Sequence, residues 1–250
     1  MSGRTRAAAT ILSILFWLAV WQLAYHAVSR DLLLASPTQT FNAVVRILGE
    51  PRTWRMIGRS LIRQFAALGT GVLLGIVCAA LTSLSKIARA IISPALTAVR
   101  ATPVASFIIL ALVWMSSASV PIFAASLMTL PIIWANLSQG VAGVDRNLLE
   151  MAAAYRFGRT KTLLHVIVPS IKGTFLAALS ASIGLCWKAM IAAEVLGTPK
   201  EAVGTMLYNA KIYLNTDELF AWTAIIIIVS RLMEICFAKV IKAGGRGITY

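Results

Sequence analysis

Two short stretches gather the side chains of this sequence that could do chemistry. The first, "LLEMAAAYRFGRTKTLLHVIVPS" (148–170), holds Glu150, Met151, Ala152, Ala153, Arg156, Gly158, Arg159, Lys161 and Pro169. The second, "GLCWKAMIAAEVLG" (184–197), sets Trp187, Lys188 and Glu194 in an apolar run. One carboxylate followed by several cations on a short amphipathic segment is the chemistry of docking, in which complementary charge orients a partner and no bond is made or broken. An ammonium and a carboxylate inside an apolar run are costly, so they normally face a protein interior or a water-filled cavity. Lys188 and Glu194 are six residues apart, about 240° around a helix, so they do not share a face, whereas Trp187 and Glu194 do. Two readings of Lys188 stay open: a cavity residue that attracts an anionic solute, or a side chain that snorkels outward or pairs with another span's carboxylate for packing alone. Glu194, at the outer end of its run, suits a gate or an inter-span hydrogen bond better than contact with a solute.

No constellation for catalysis accompanies them. The sequence has no Walker A loop, no G-x-S-x-G, no H-E-x-x-H and no dinucleotide fingerprint. His26 and His165 lie far apart, and Cys78, Cys186 and Cys236 each stand alone in an apolar run. The cysteines therefore read as small buried hydrophobes, with neither a disulfide nor a metal site expected. The chain is not expected to be an enzyme or to carry a cofactor of its own.

The elements that must position these residues are membrane spans. The sequence is 59% hydrophobic and only 13% charged, with mean hydropathy +0.82, which excludes an ordinary soluble domain. Uncharged runs at 9–28 and 64–85 are each long enough to cross about 30 Å of hydrocarbon. From Ala101 to Val144 there is no charge at all, enough for two spans turning at "SSASVP" (116–121). A fifth runs from about Gly173 to Val195, and the last covers 219–238. The expectation is an all-α polytopic membrane protein of about six helices. The first run is too long, and its flank "HAVSRDLL" too poor a cleavage site, for a signal peptide. Residues 30–58 interrupt the spans; "SPTQTFNAVVRILGEP" puts Phe41, Val44, Val45 and Leu48 at helical spacing, so an amphipathic helix on the outer face is expected, with a solvated linker as the alternative. The small residues Gly173, Ala177, Ser180, Ala181 and Gly184 suit close packing between spans or between two copies, and Arg231 is expected to pair with Glu234 or reach the inner headgroups.

Orientation follows from the loop cations. An even span count puts both termini on one side. If that side is the cytoplasm, its loops hold about twice the lysine and arginine of the outer loops, and 140–172 are cytoplasmic. Net charge +14 then reads as anchoring against anionic lipid rather than as nucleic-acid binding. Within that loop, Asn147 and Glu150 have capping spacing, with Asp145 near the positive helix end. Leu148, Leu149, Ala152 and Ala153 give a small apolar face. Gly158 offers a stop, and a second helical piece should end at Val168, before Pro169. Two short surface helices joined by a bend are expected.

The stretch resembles the cytoplasmic coupling loop of type I ABC importer permeases, whose pattern is Glu-Ala-Ala, three residues, Gly, nine residues, Ile, one residue, Leu-Pro. Glu150 and Pro169 fall on its ends, Ala152 on the second Ala, Val166 on Ile and Val168 on Leu. Met151 replaces the first Ala, and Arg156 occupies the Gly position, with Gly158 two residues later to supply the bend. The segment 184–197 is similar to the G-x-x-W-x-x-x-V-x-A-E-x-x-G stretch of nitrate-, sulfonate- and taurine-type permeases, through Trp187, Ala193, Glu194 and Gly197. "ASPTQTFNAV" and "VRATPVASFIILALVWM" (99–115) resemble the same group. The resemblance implies an N-terminal span and linker helix (1–58), a permease core (59–240) with its coupling loop at 145–170, and a basic cytoplasmic tail (241–250). It also implies a prokaryotic inner-membrane protein paired with a second permease copy, two ATPase subunits that carry ATP and magnesium, and an extracytoplasmic solute-binding protein. The solute would be a small anion such as nitrate or a sulfonate, or a vitamin precursor. A gradient-driven carrier or channel is the alternative; it would explain the spans but not the loop.

Overall fold

The computed structural model describes the backbone of residues 3–245 and the side chains of 9–239. The described residues form helices α1 (Gly3–Val28), α2 (Pro37–Gly49), α3 (Pro51–Leu84), α4 (Lys86–Ala101), α5 (Val104–Trp114), α6 (Val120–Ala142), α7 (Arg146–Ala154), α8 (Arg159–Thr162), a π turn (Leu163–Ile167), α9 (Val168–Gly197), α10 (Val203–Ile212) and α11 (Thr216–Gly245), with no strand among them. The expected basic tail largely lies outside the described residues: α11 extends as far as Gly245, and nothing beyond it is described. The side chains of Arg4 and Arg6 lie outside them too.

The bundle is built on α3, α6 and α9. Gly71 of α3 lies so close to α6 that a Cβ there would fall 2.6 Å from Cβ of Thr129, and at Gly75 it would fall 2.7 Å from Cβ of Ile133. Near one end Ser126 Oγ donates to the Ala67 carbonyl (3.0 Å), and near the other Trp134 Nε1 donates to Thr82 Oγ1 (3.1 Å). Residue numbers rise together along the two helices, so α3 and α6 run parallel. Two parallel spans require the chain between them to return across the bilayer. The pair α4 and α5 makes that return in two pieces bent by 106°. The third span therefore begins at Lys86 rather than Ala101, and breaks at Thr102–Pro103, where Pro103 has no N–H to continue the helix. Five helices are long and apolar enough to cross alone, and the bent pair makes a sixth crossing.

Antiparallel to both, α9 fills the groove: Gln64 Nε2 donates to the Ile183 carbonyl (3.3 Å), and Ile171 packs on Gly140. The small-residue contact of the bundle is thus Gly71 and Gly75 on α6. The expected stripe on α9 is not an inter-span contact, because Gly173, Ala177, Ser180 and Ala181 are exposed and only Gly184 meets a neighbouring span, at Glu234. Arg231 and Glu234 do pair, at 3.1 Å.

The interruption at 30–58 is more ordered than a linker. Ser36 and Gln39 form a reciprocal capping box, and Pro37 opens α2. Its inward face is Thr40, Ala43 and Ile47, whereas Phe41 and Val45 face outward. The apolar spacing located the helix and half of its packed side: Val44 and Leu48 do pack on the core, but the face is turned because α2 packs on α11, with Arg46 reaching Asp217 (3.2 Å) and Glu218 (3.1 Å). The boundary expected at 58/59 falls inside α3. That helix has 34 residues, about 51 Å, and carries Arg52, Arg55, Arg59 and Arg63 beyond or at the edge of the hydrocarbon.

Adding one methyl at the α3–α6 contact should be resisted. Gly75→Ala is expected to lower stability by about 1–3 kcal/mol through overpacking. Gly69→Ala, where the new Cβ meets nothing within 4 Å, should leave stability unchanged or raised. Thermal unfolding of the two detergent-solubilised variants against wild type checks the difference.

Candidate functional site

Three features occupy different depths of the bundle. At one end, α7 starts at Asp145, whose Oδ1 accepts the Asn147 amide at 2.9 Å. The cap is Asp145 rather than Asn147, because a side chain on the residue before the helix reaches its free amides. Glu150 pairs with Arg146 one turn back at 3.1 Å, and both are exposed. The small face is divided: Ala152 is buried, while Met151 and Ala153 face outward.

The chain leaves α7 through a Schellman turn. The Phe157 amide donates to the Ala152 carbonyl (2.9 Å) and the Arg156 amide to the Ala153 carbonyl (2.9 Å). This turn needs a left-handed residue, and Arg156 supplies it with φ 55°. Gly158 has φ −69° and precedes α8 as its N-cap. The bend is therefore made at the position where the related pattern has Gly, and Gly158 does not replace it.

Nor does the helix stop at Val168. From Arg159 to Gly197 it continues for 39 residues. The π turn at Leu163–Ile167 comes immediately before Pro169, with the Val168 amide donating to the Leu163 carbonyl. Widening that turn accommodates the proline ring and its missing donor. The expected second surface helix is the first part of the fifth span itself, in contact with α7 through the π turn.

At the opposite end, Glu194 is fully buried and holds three elements together. Its carboxylate accepts Ser60 Oγ (2.8 and 2.9 Å), Arg63 Nη1 (3.1 Å) and the Gly204 amide (3.0 Å) at the start of α10. Arg63 also donates to the Lys200 carbonyl (3.1 Å), and Arg59 pairs with Glu201. Gly204 must be Gly, since a Cβ would lie 2.5 Å from Cβ of Glu194. Trp187, on the same face of α9, is buried and donates to the Ile226 carbonyl at 3.3 Å.

Between the two ends lies a cleft of about 400 Å³ lined by Arg100, Val104, Met128, Pro131, Ile132, Leu185, Lys188 and Ala189. Lys188 points into this space, away from Trp187 and Glu194. The chain has nine carboxylates, and none reaches Arg100 or Lys188. Asp31 accepts from Tyr25, Asp145 caps α7, Glu50 precedes α3, and the other six are held by Arg46, Arg59, Arg63, Arg146 and Arg231. Packing by an inter-span ion pair is therefore not the role of Lys188 within this chain. Arg100, Arg63 and Ser60 escaped the sequence reading. Arg100 stands one residue ahead of the uncharged stretch that defined two spans, and Arg59 and Arg63 are spaced to face one side of a helix, so both signals were present.

A helical bundle with a cleft at membrane depth, continuous with a surface-exposed helix at one end, is a membrane permease. Residues 71–240 match the family described as binding-protein-dependent transport system inner membrane component, and the chain belongs to that family. It is thus a permease of the ATP-driven importers, which work with a separate ATPase and a solute-binding protein. The chain is 27% identical over 224 residues to the taurine transport system permease protein of Escherichia coli (strain K12), covering 86% of this chain and 80% of that protein. It is 22% identical over 235 residues to the nitrate import permease protein of Synechococcus elongatus, covering 82% and 84%. Among solved structures, an amino acid ABC transporter with histidines shares the fold at TM-score 0.62 and 20% identity, covering 76% of this chain and 90% of that one.

Three substitutions test the geometry. Arg156→Gly removes a left-handed arginine that costs roughly 1–2 kcal/mol, so the amides of Arg156 and Phe157 should exchange several-fold more slowly with solvent deuterium. Glu194→Ala strands Arg63 and should cost about 3–5 kcal/mol in thermal unfolding, whereas Glu150→Gln, which breaks only an exposed pair, should change stability by less than about 1 kcal/mol.

Proposed function

We propose that two copies of this chain form the translocation path of an importer for a small anionic solute, with α7 of each copy docked on one of two ATPase subunits. ATP and magnesium belong to that partner. The α7 end of the bundle faces the cytoplasm, both termini lie on that side, and the Glu194 end receives solute from the binding protein. The relative named for nitrate supports an anionic substrate, and the one named for taurine supports a solute that carries a sulfonate group.

The observation that carries the reading is mechanical continuity. Glu150, Met151, Ala153 and Arg156 present an exposed docking surface. The Schellman turn joins it to a helix that runs unbroken from Arg159 past Pro169 to Lys188 and Glu194. When ATP draws the ATPase pair together, α7 moves with it. A helix of about 58 Å carries that displacement past the cleft to the outer knot, so one nucleotide-driven closure can bias the bundle between two states. Arg156, Arg159 and Lys161 favour an acidic partner surface.

Affinity purification of the tagged chain from mild detergent, with bound proteins identified by mass spectrometry, tests this. Wild type should retain a Walker-motif ATPase, and Glu150→Arg should lose it while folding normally. Wild type that retains no such ATPase across several mild detergents would overturn the proposal.

A further inference from the structure

The cleft at Arg100 and Lys188 is more specific than a passage. It lies on the middle of α6, around Pro131, and is bounded by the end of α4, the start of α5 and the outer half of α9. Lys188 is nine residues from the outer end of α9, about 14 Å along the helix. Among the described residues neither cation has an ion pair or hydrogen bond. Both side chains are exposed to the cleft, and cations within a span face a wet cavity or an opposite charge rather than lipid, so the cleft presents two free positive charges.

The backbone points the same way. At Thr102–Pro103 the third crossing is not helical, and non-helical backbone at membrane depth is tolerated where it lines a cavity. The break turns the start of α5 toward the cleft, with Val104 in its wall. Pro103 precedes that helix and no side chain caps it, so the partial positive charge of its first amides adds to that of Arg100 and Lys188. The remaining wall is apolar: Met128, Ile132, Leu185 and Ala189.

We infer that this cleft is an intramembrane seat for an organic anion, in which Arg100, Lys188 and the first amides of α5 hold an anionic head and the α6–α9 wall takes an apolar body. The inference rests on the proposed translocation role and narrows its substrate to anions with a carbon tail. A small inorganic oxyanion would satisfy the cations but leave the apolar wall without a partner.

Charge-selective labelling of a cysteine in the wall tests it. Leu185→Cys, with the native Cys78, Cys186 and Cys236 replaced, is reacted in membranes with a sulfonatoethyl and a trimethylammonioethyl methanethiosulfonate. The anionic reagent should be favoured by about ten-fold or more over its preference for a free thiol in solution, as expected where clustered charge raises local ion concentration. Arg100→Gln and Lys188→Gln should each reduce that preference and together abolish it, while Lys188→Arg restores it. Propane-1-sulfonate should protect the cysteine at concentrations where sodium sulfate and 1-propanol do not. An unchanged reagent ratio in the double variant, or equal protection by sulfate or propanol, overturns the seat. ATPase retention is measured on the Leu185→Cys protein with Arg100 and Lys188 intact: if it keeps its ATPase but shows no charge selectivity, the seat alone is defeated, whereas wild type without an ATPase defeats the importer reading.

Discussion

The parallel contact of α3 and α6 through Gly71 and Gly75 is the constraint on which the rest of the structure depends. In lipid there is no hydrophobic drive between helices, so close backbone approach must supply the packing, and only a residue without Cβ permits it here. Once these two helices run in the same direction, the 35 residues from Ser85 to Ser119 must recross the bilayer. They do so as a helix broken by Pro103, and the break opens the cleft. The charged cavity is thus a consequence of topology fixed one contact away, between helices that carry none of its cations.

Charge is distributed with the same economy. Nine carboxylates serve a chain with 23 lysines and arginines, and their pairing sorts the molecule into parts with different jobs. Glu194 is placed where three elements meet, and its burial makes it intolerant of loss. Asp217 and Glu218 hold α2 on α11 through Arg46. Among the cations that no carboxylate holds, Arg156, Arg159 and Lys161 stand at the proposed docking end, and Arg100 and Lys188 stand in the cleft.

Much of this was legible in the residues. Uncharged runs located most of the spans, and the Ser-Pro-Thr-Gln start located α2, because lipid and capping chemistry act locally. The differences have several causes, each a matter of tertiary context that local rules do not see. Arg100, Lys86 and Arg89 disqualified α4 from a charge-free criterion, although a broken helix beside a cavity can carry charge. Pro169 signalled a helix end, yet a π turn one residue earlier absorbed it. Phe41 and Val45 completed an apolar pattern on α2, but α11 covers the neighbouring face. The uncovered stripe on α9 had the composition of a contact, and nothing within the described residues meets it except at Gly184.

Arg156 shows how a local cost can be informative. The Schellman turn that ends α7 requires a left-handed residue, and glycine would adopt it without strain. An arginine there keeps the same hydrogen bonds at an energetic disadvantage of roughly 1–2 kcal/mol. The turn joins exposed α7 to the unbroken helix that reaches the cleft, which makes it the joint of the proposed lever. A residue held in an unfavourable conformation at such a joint persists when its side chain contributes what glycine lacks. Here that is a guanidinium aimed outward beside Arg159 and Lys161. Strain and charge meet at this one position, which is what the proposed docking role asks of a joint that bends the chain and is recognised by a partner.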